Sequence, residues 1–238
     1  MTPRDAFLAR IGAEVRRARP AGPATPAPRP ARPAEAAEAI RRQMAERWPA
    51  AVRRFEEEFG RVAGVFHRVR RREEVAGVIL GIARAQGTRD LVAWSADAIG
   101  VALEAELAAA GLGLTVAGPD DAEGRRRHRE AAARAGVGVT GADIVLAETG
   151  TLVLVSGAGR PRATSLLPPT HVAVFDPSQV VESLEQVGVL LEALHAGASG
   201  PASITFVTGP SRTADIELTL TRGVHGPREV HAVFVEEP

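Results

Sequence analysis

Apolar positions in this chain follow two periods in turn. In residues 3–18, Phe7, Leu8, Ile11 and Val15 recur at helical spacing. The stretch RPAGPATPAPRPARPA (19–34) then breaks the pattern, because closely spaced prolines and Gly22 forbid a helix and favour an extended spacer. Helical patterning resumes over 34–47 and 49–59, with Pro49 as the boundary. After it the periods alternate: a strand over 62–69 (VAGVFHRV), a helix over 72–86, a strand over 91–94 and a helix over 97–110. A strand over 112–116 and an Arg-rich helix over 120–135 follow. This βαβα order predicts a mostly parallel sheet with helices on its faces.

From Ile144 the pattern changes. IVLAETGTLVLV holds two apolar runs joined by Glu148, Thr149, Gly150 and Thr151, which predicts a hairpin with Gly150 at the permissive turn position. Another strand is predicted over 171–175. Asp176-Pro177 then reads as a helix start, since Asp caps free amides and Pro suits the first helical position. Val180, Leu184, Val187, Leu191 and Leu194 give that helix one apolar face. Strands over 203–207 and 229–235 close the pattern. The expected organisation is an N-terminal helix and Pro/Ala-rich linker over 1–34, followed by a single α/β domain over 35–238.

Composition narrows the chemistry. A chain of 238 residues buries about 70–75% of its unfolded surface, so it needs no covalent staples. It has no cysteine, which removes disulfides, thiol nucleophiles, thiolate zinc sites and Cys-ligated iron–sulfur clusters from this chain. Its 29 basic residues are all arginine, so Schiff-base lysines and a Walker lysine are excluded. The 29 acidic residues balance them, unlike the positive excess of a nucleic-acid-binding face. No apolar run is long enough to span a membrane and no secretory apolar region follows Met1, so a soluble cytoplasmic protein with no membrane span and no nucleic-acid partner is expected. No cofactor and no metal are expected of this chain.

Gly136, Gly138 and Gly141 match G-x-G-x-x-G, but an Arg-rich helix precedes them and a strand follows, the reverse of a dinucleotide fingerprint. His67, His128, His171 and His195 read as surface or core histidines, and no His/carboxylate spacing suits a metal. Two segments carry candidate chemistry. Glu148 sits at a hairpin turn, where clefts in α/β sheets are built. The second segment is TGPSRTADIELTLTRGVHGP (208–227). Thr208 and Gly209 follow a strand, and Ser211, Arg212 and Thr213 offer two hydroxyls and a guanidinium suited to a carboxylate or phosphate. Asp215 and Glu217 alternate with aliphatics, so an extended segment turns both acids to one side, with Arg212 and Arg222 as candidate counter-ions. His225, between Gly223 and Gly226, sits in a turn that presents its ring. A salt-bridged buried turn is the competing reading.

Three blocks, ADIVLAETGTLVLVSG (142–157), SLLPPTHVAV (165–174) and TGPSRTADIELTLTRGVHGPREVHAVFVE (208–236), together resemble the lactate-utilization (LUD) domain family over roughly residues 40–236. The resemblance implies an α/β layered fold of the NagB/RpiA/CoA transferase-like type. It implies a component of an L-lactate oxidation system, lactate to pyruvate, acting with iron–sulfur oxidoreductase subunits while holding no redox centre itself. It implies motif membership alone for Glu148, Thr149, Gly150, Gly209, Ser211, Arg212, Thr213, Asp215, Glu217, His225 and Gly226 and assigns no catalytic residue. By their own chemistry Glu148, Asp215, Glu217 and His225 are the catalytic candidates, and Thr149, Gly150, Gly209, Ser211, Arg212 and Thr213 the ligand-binding ones. Two other functions fit the residues: a regulatory module that senses a small carboxylate, and a stand-alone acyl-CoA or phosphosugar enzyme with Glu148 or Glu217 as nucleophile.

Overall fold

In the computed structural model the described residues are 3–17, 32–196, 203–213 and 221–237. Chain contacts separate two units, Met1–Ala31 and Arg32–Pro238. The first contains α1 (Pro3–Arg17), with Phe7, Leu8 and Ile11 exposed. Most of the Pro/Ala-rich stretch lies outside the described residues, and from Pro33 the chain is already helical.

The second unit opens with α2 (Pro33–Arg61), one helix where the sequence predicts two. Pro49 lies inside it. A proline removes one helical hydrogen bond and crowds the preceding turn, at a cost of about 3 kcal/mol. Here Met44, Ala51, Val52, Phe55 and Phe59 are all buried on one side, and that packing carries the helix through the proline.

The chain then runs through β1 (Val65–Arg71), α3 (Val75–Ala85), β2 (Asp90–Ala93), α4 (Ala96–Ile99), α5 (Glu104–Ala109), β3 (Gly113–Val116), α6 (Ala122–Arg134) and β4 (Val137–Gly141). The helix expected over 97–110 is two short ones, because Gly100 ends α4 at φ +82°. The predicted hairpin is β5 (Ile144–Leu146) and β6 (Thr151–Ser156), in antiparallel register with Val145 opposite Leu152. After it come α7 (Ala163–Leu166), β7 (Thr170–Phe175), β8 (Val180–Val181), α8 (Leu184–His195), β9 (Ser203–Val207), β10 (Arg212–Thr213), β11 (Thr221–Arg222) and β12 (Glu229–Glu237).

The helix expected to start at Asp176 begins later. Asp176 accepts from Ser178 N (2.9 Å) but caps only a 3₁₀ turn, Pro177–Gln179. Val180 and Val181, both buried, then pair parallel to β5 as a short strand, as β-branched residues favour. The real start is at Ser183, where Gln186 Oε1 accepts from Glu182 N (2.7 Å) and Ser183 N (3.3 Å).

Six strands form the central sheet in the order β1-β12-β7-β4-β2-β3, and every neighbouring pair is parallel. Helices cover both faces, giving the layered, mostly parallel α/β architecture predicted from the βαβα pattern. All residues of β4 and β7 are buried, as central strands of such sheets require. Gly138 and Gly141 have a packing role there: a Cβ at Gly138 would overlap Thr164 O of α7, and one at Gly141 would overlap Ala98 O of α4. The glycines let helices approach β4 closely.

The second sheet runs β8-β5-β6-β9, and β10–β11 form a separate two-stranded ribbon. Phe55 of α2 stacks on Phe59 (5.0 Å between centroids) and meets Phe175 of β7 edge-on (5.5 Å), while Trp48 lies 5.6 Å from Phe234 of β12. Further along the same helix, Ala37 joins Ile144, Leu146, Val153, Val181, Val187 and Leu190 in a second apolar cluster. α2 therefore packs on both sheets.

Candidate functional site

Beyond the C-terminal ends of the parallel strands lies a cleft of about 340 Å³. The chain leaves β2 toward β3 on one side and leaves β4 toward β7 on the other, so the first turns after them diverge. Open α/β sheets bind ligands at such a divergence. Gly141 ends β4 and Ala142 and Asp143 follow it, Asp97 to Val101 come after β2, Phe175 ends β7 and Asp176 follows it, and Arg72 follows β1; all line the cleft together with Arg160.

Two Arg–Asp pairs and the exposed Asp97 set its electrostatics. Arg72 donates through Nη2 to Asp176 Oδ2 (3.3 Å) and through Nη1 to Gly100 O. Asp176 is fixed in turn by Ser178 Oγ (2.6 Å), and its own amide donates to Gln179 Oε1 (2.7 Å). Arg160 donates to Asp143 Oδ1, and Asp143 Oδ2 accepts from Val155 N (2.7 Å). The Arg160 guanidinium lies 5.8 Å from the centre of the Trp94 ring, and Trp94 Nε1 donates to Pro161 O (3.1 Å). In each pair the carboxylate is the more buried partner: the side chains of Asp176 and Asp143 are 15% and 16% exposed, those of Arg72 and Arg160 37% and 36%. A guanidinium has five N–H donors, so both arginines keep donors for a ligand. Burial pushes the Asp143 carboxyl above its ordinary value, and the Val155 amide and Arg160 oppose that rise without cancelling it. The arrangement suits a small anion held by two guanidiniums beside a carboxyl that can hold a proton. Among the described residues no group of three His, Asp or Glu is placed to hold a metal.

Among the described residues, none of the candidate catalytic or ligand-binding residues named from the sequence lines this cleft, although Gly141 of the dismissed glycine pattern and Asp176 do. Asp143 opens the hairpin, while Glu148, Thr149 and Gly150 form its tip. The three residues of β5, roughly 10 Å at about 3.3 Å per residue, and Ala147 lie between Asp143 and Glu148. Glu148 Oε1 accepts from Leu184 N (2.8 Å) and so caps α8. Gly150, at φ +60°, lets the tip lie against the α2 backbone at Phe59. The tip and the loop after β9 do come together: Thr151 Oγ1 bonds both Thr149 Oγ1 (2.7 Å) and Thr208 Oγ1 (2.8 Å). Gly209, at φ +76°, packs on the Val62 carbonyl. Ser211 N donates to Pro227 O (2.9 Å), and Ser211 Oγ accepts from His225 N (3.3 Å), tying this loop to the turn that holds Gly226. Arg212 is exposed, and it and Thr213 are register partners of Arg222 and Thr221. Asp215 and Glu217 lie outside the described residues.

Sequence reasoning passed over Arg72, Asp97, Asp143, Arg160 and Asp176. Asp143 carried a usable signal, an acid between the Gly-Val-Gly-Val-Thr-Gly run and an apolar hairpin. Asp176 was visible only as a cap, and Arg72 and Arg160 are lost among many other arginines.

Comparison with known proteins agrees with this architecture. The chain is 42% identical over 118 residues to lactate utilization protein C of Geobacillus sp. (strain WCH70), covering 49% of each chain. It is 44% identical over 122 residues to lactate utilization protein C of Halalkalibacterium halodurans, covering 50% of this chain and 51% of that one. The chain thus matches about half the length of these curated relatives. The crystal structure of a DUF162 family protein from Deinococcus radiodurans has a similar fold, with a TM-score of 0.53 at 22% identity, covering 79% of this chain and 98% of that one. The family model described as the LUD domain matches residues 52–235, from within α2 into β12. The chain belongs to the LUD domain family.

Proposed function

We propose that this chain acts in lactate utilization as a carboxylate-binding component, taking lactate or pyruvate in the cleft between Arg72 and Arg160. Iron–sulfur partner subunits would supply the redox centre, because this chain has no cysteine with which to ligate a cluster. The names of the relatives and the family membership support the metabolic setting. The observation that carries the assignment to the cleft is the pair of guanidiniums, each anchored by a more buried aspartate at the C-terminal edge of the sheet. In this reading Arg72 and Arg160 hold the ligand carboxylate. Asp143, biased by burial toward its protonated form, exchanges a hydrogen bond with the 2-hydroxyl or 2-oxo group. The aspartates keep the arginines in place, so little side-chain freedom is lost when the ligand arrives.

Calorimetric titration of the chain with lactate and pyruvate tests this. Arg72→Ala and Arg160→Ala should each weaken binding tenfold or more. Unchanged affinity in both variants would remove the cleft from consideration. A second reading keeps the loops named from the sequence as ligand contacts, favoured by the hydroxyl run Thr149–Thr151–Thr208 that joins them. Arg212→Ala in the same titration separates the two: loss of affinity there, with Arg72→Ala silent, places the ligand at the loops.

A further inference from the structure

Gly77, Gly81 and Ala85 repeat at four-residue spacing along α3, so they share one side of the helix. A Cβ at Gly77 or Gly81 would meet nothing within 4 Å. The missing side chains leave a groove of about 390 Å³ between α3 and strands β1 and β12, with His67, His231, Glu229 and Gln86 in its walls beside Val78 and Ile82. His231 of β12 lines the groove and Val235 of the same strand lines the cleft, so the two cavities lie roughly 13 Å apart along the strand at about 3.3 Å per residue.

The polar wall is a hydrogen-bonded chain. Gln86 Nε2 donates to Glu229 Oε2 (2.7 Å), the same oxygen lies 3.3 Å from His231 Nε2, and His231 Nδ1 lies 2.9 Å from His67 Nε2. The two rings are nearly parallel, at 21°. Proton positions follow by elimination. An ionised carboxylate only accepts, so His231 Nε2 carries the hydrogen. Burial pushes both imidazoles below their ordinary value, His231 lowering His67 further and Glu229 partly offsetting the shift of His231, so near neutral pH each ring holds one proton. His231 Nδ1 is then bare and accepts, which makes His67 Nε2 the donor. His67 Nδ1 is left with a lone pair and no partner among the described residues.

We propose that this groove is a second ligand site, separate from the carboxylate cleft, which takes an uncharged molecule bearing one hydroxyl on a compact apolar body, an alcohol or a phenol. The hydroxyl donates to His67 Nδ1, and Glu229 and His231 hold that nitrogen as an acceptor by fixing the tautomers behind it. The glycine side of α3 receives the apolar body. Glu229 disfavours a second carboxylate at the same place, and a single bare nitrogen does not make a metal site.

The test is titration of the full chain with phenol and with anisole, which keeps the ring and the oxygen but has no O–H, followed through the histidine ¹⁵N signals. In the free protein His67 should be protonated at Nε2 alone. Phenol should shift the His67 Nδ1 signal and bind at least tenfold more tightly than anisole. His67→Phe should abolish that difference while the protein still melts cooperatively. A proton on His67 Nδ1 in the free protein, equal binding of phenol and anisole, or no binding of either at millimolar concentration each overturns the proposal. If His67→Phe does not fold, the ¹⁵N signals of the unaltered protein decide on their own.

Discussion

His171 makes this fold acid-sensitive by an amount that can be worked out. It lies on β7 with no exposed surface, its Nε2 is 2.9 Å from Thr140 Oγ1, and its Nδ1 has no partner among the described residues. A charge there would lose its hydration, so burial pushes the imidazole down to about 3, with nearby His231 adding to the effect. In the unfolded chain the same group titrates near 6.5. Above that pH neither state binds the proton, and His171 adds no pH dependence. Below it the unfolded chain takes up a proton that the folded chain refuses, so stability falls as the pH drops from 6.5 toward about 3. The slope is about 1.4 kcal/mol per pH unit, which gives a loss of about 2 kcal/mol between pH 7 and pH 5. His171→Gln keeps a polar side chain but cannot titrate. Urea unfolding of both proteins at the two pH values isolates the effect, because His67, His128 and His231, also depressed by burial, contribute to both and cancel. The native protein should lose about 2 kcal/mol more than the variant. Equal losses would refute the reasoning.

Three further outcomes follow from packing. Phe55→Ala removes a fully buried ring that contacts Phe59, Phe66 and Phe175, and should cost about 3–5 kcal/mol, lowering the melting temperature by about 10 °C in calorimetry. Gly138→Ala drives a methyl into the α7 backbone and should cost about 1–3 kcal/mol, whereas Gly188→Ala, in α8 with nothing within 4 Å, should gain up to about 1 kcal/mol. Glu148→Ala leaves Leu184 N without its acceptor and should cost about 1 kcal/mol by urea unfolding, and Glu148→Gln, which keeps a side-chain oxygen, should recover most of it.

The parallel sheet was legible because its strands and helices follow clean periods, and the hairpin because Gly150 marks a turn between apolar runs. β4 was hidden: its glycines imitate a nucleotide fingerprint, although their role is to admit α4 and α7. Local rules also misplaced the start of the helix that ends at His195, since Asp176 and Pro177 do start a turn, but tertiary pairing with β5 claims the two valines that follow. Pro49 misled for the same reason, because long-range packing outweighs a local penalty. The cleft was the least legible part. Its residues lie far apart in sequence and are brought together only by the order of strands in the sheet, whereas the polar loops that drew attention are dense in sequence and tie down one another and α8.

Because one unbroken helix, α2, supplies side chains to the cores beneath both sheets, parting the sheets would strip apolar surface from that helix. Adjustment of the cleft around an entering molecule then falls to the rim segments, the link around Gly100 and the bend that carries Arg160, because the turn at Pro177–Gln179 packs on the same helix.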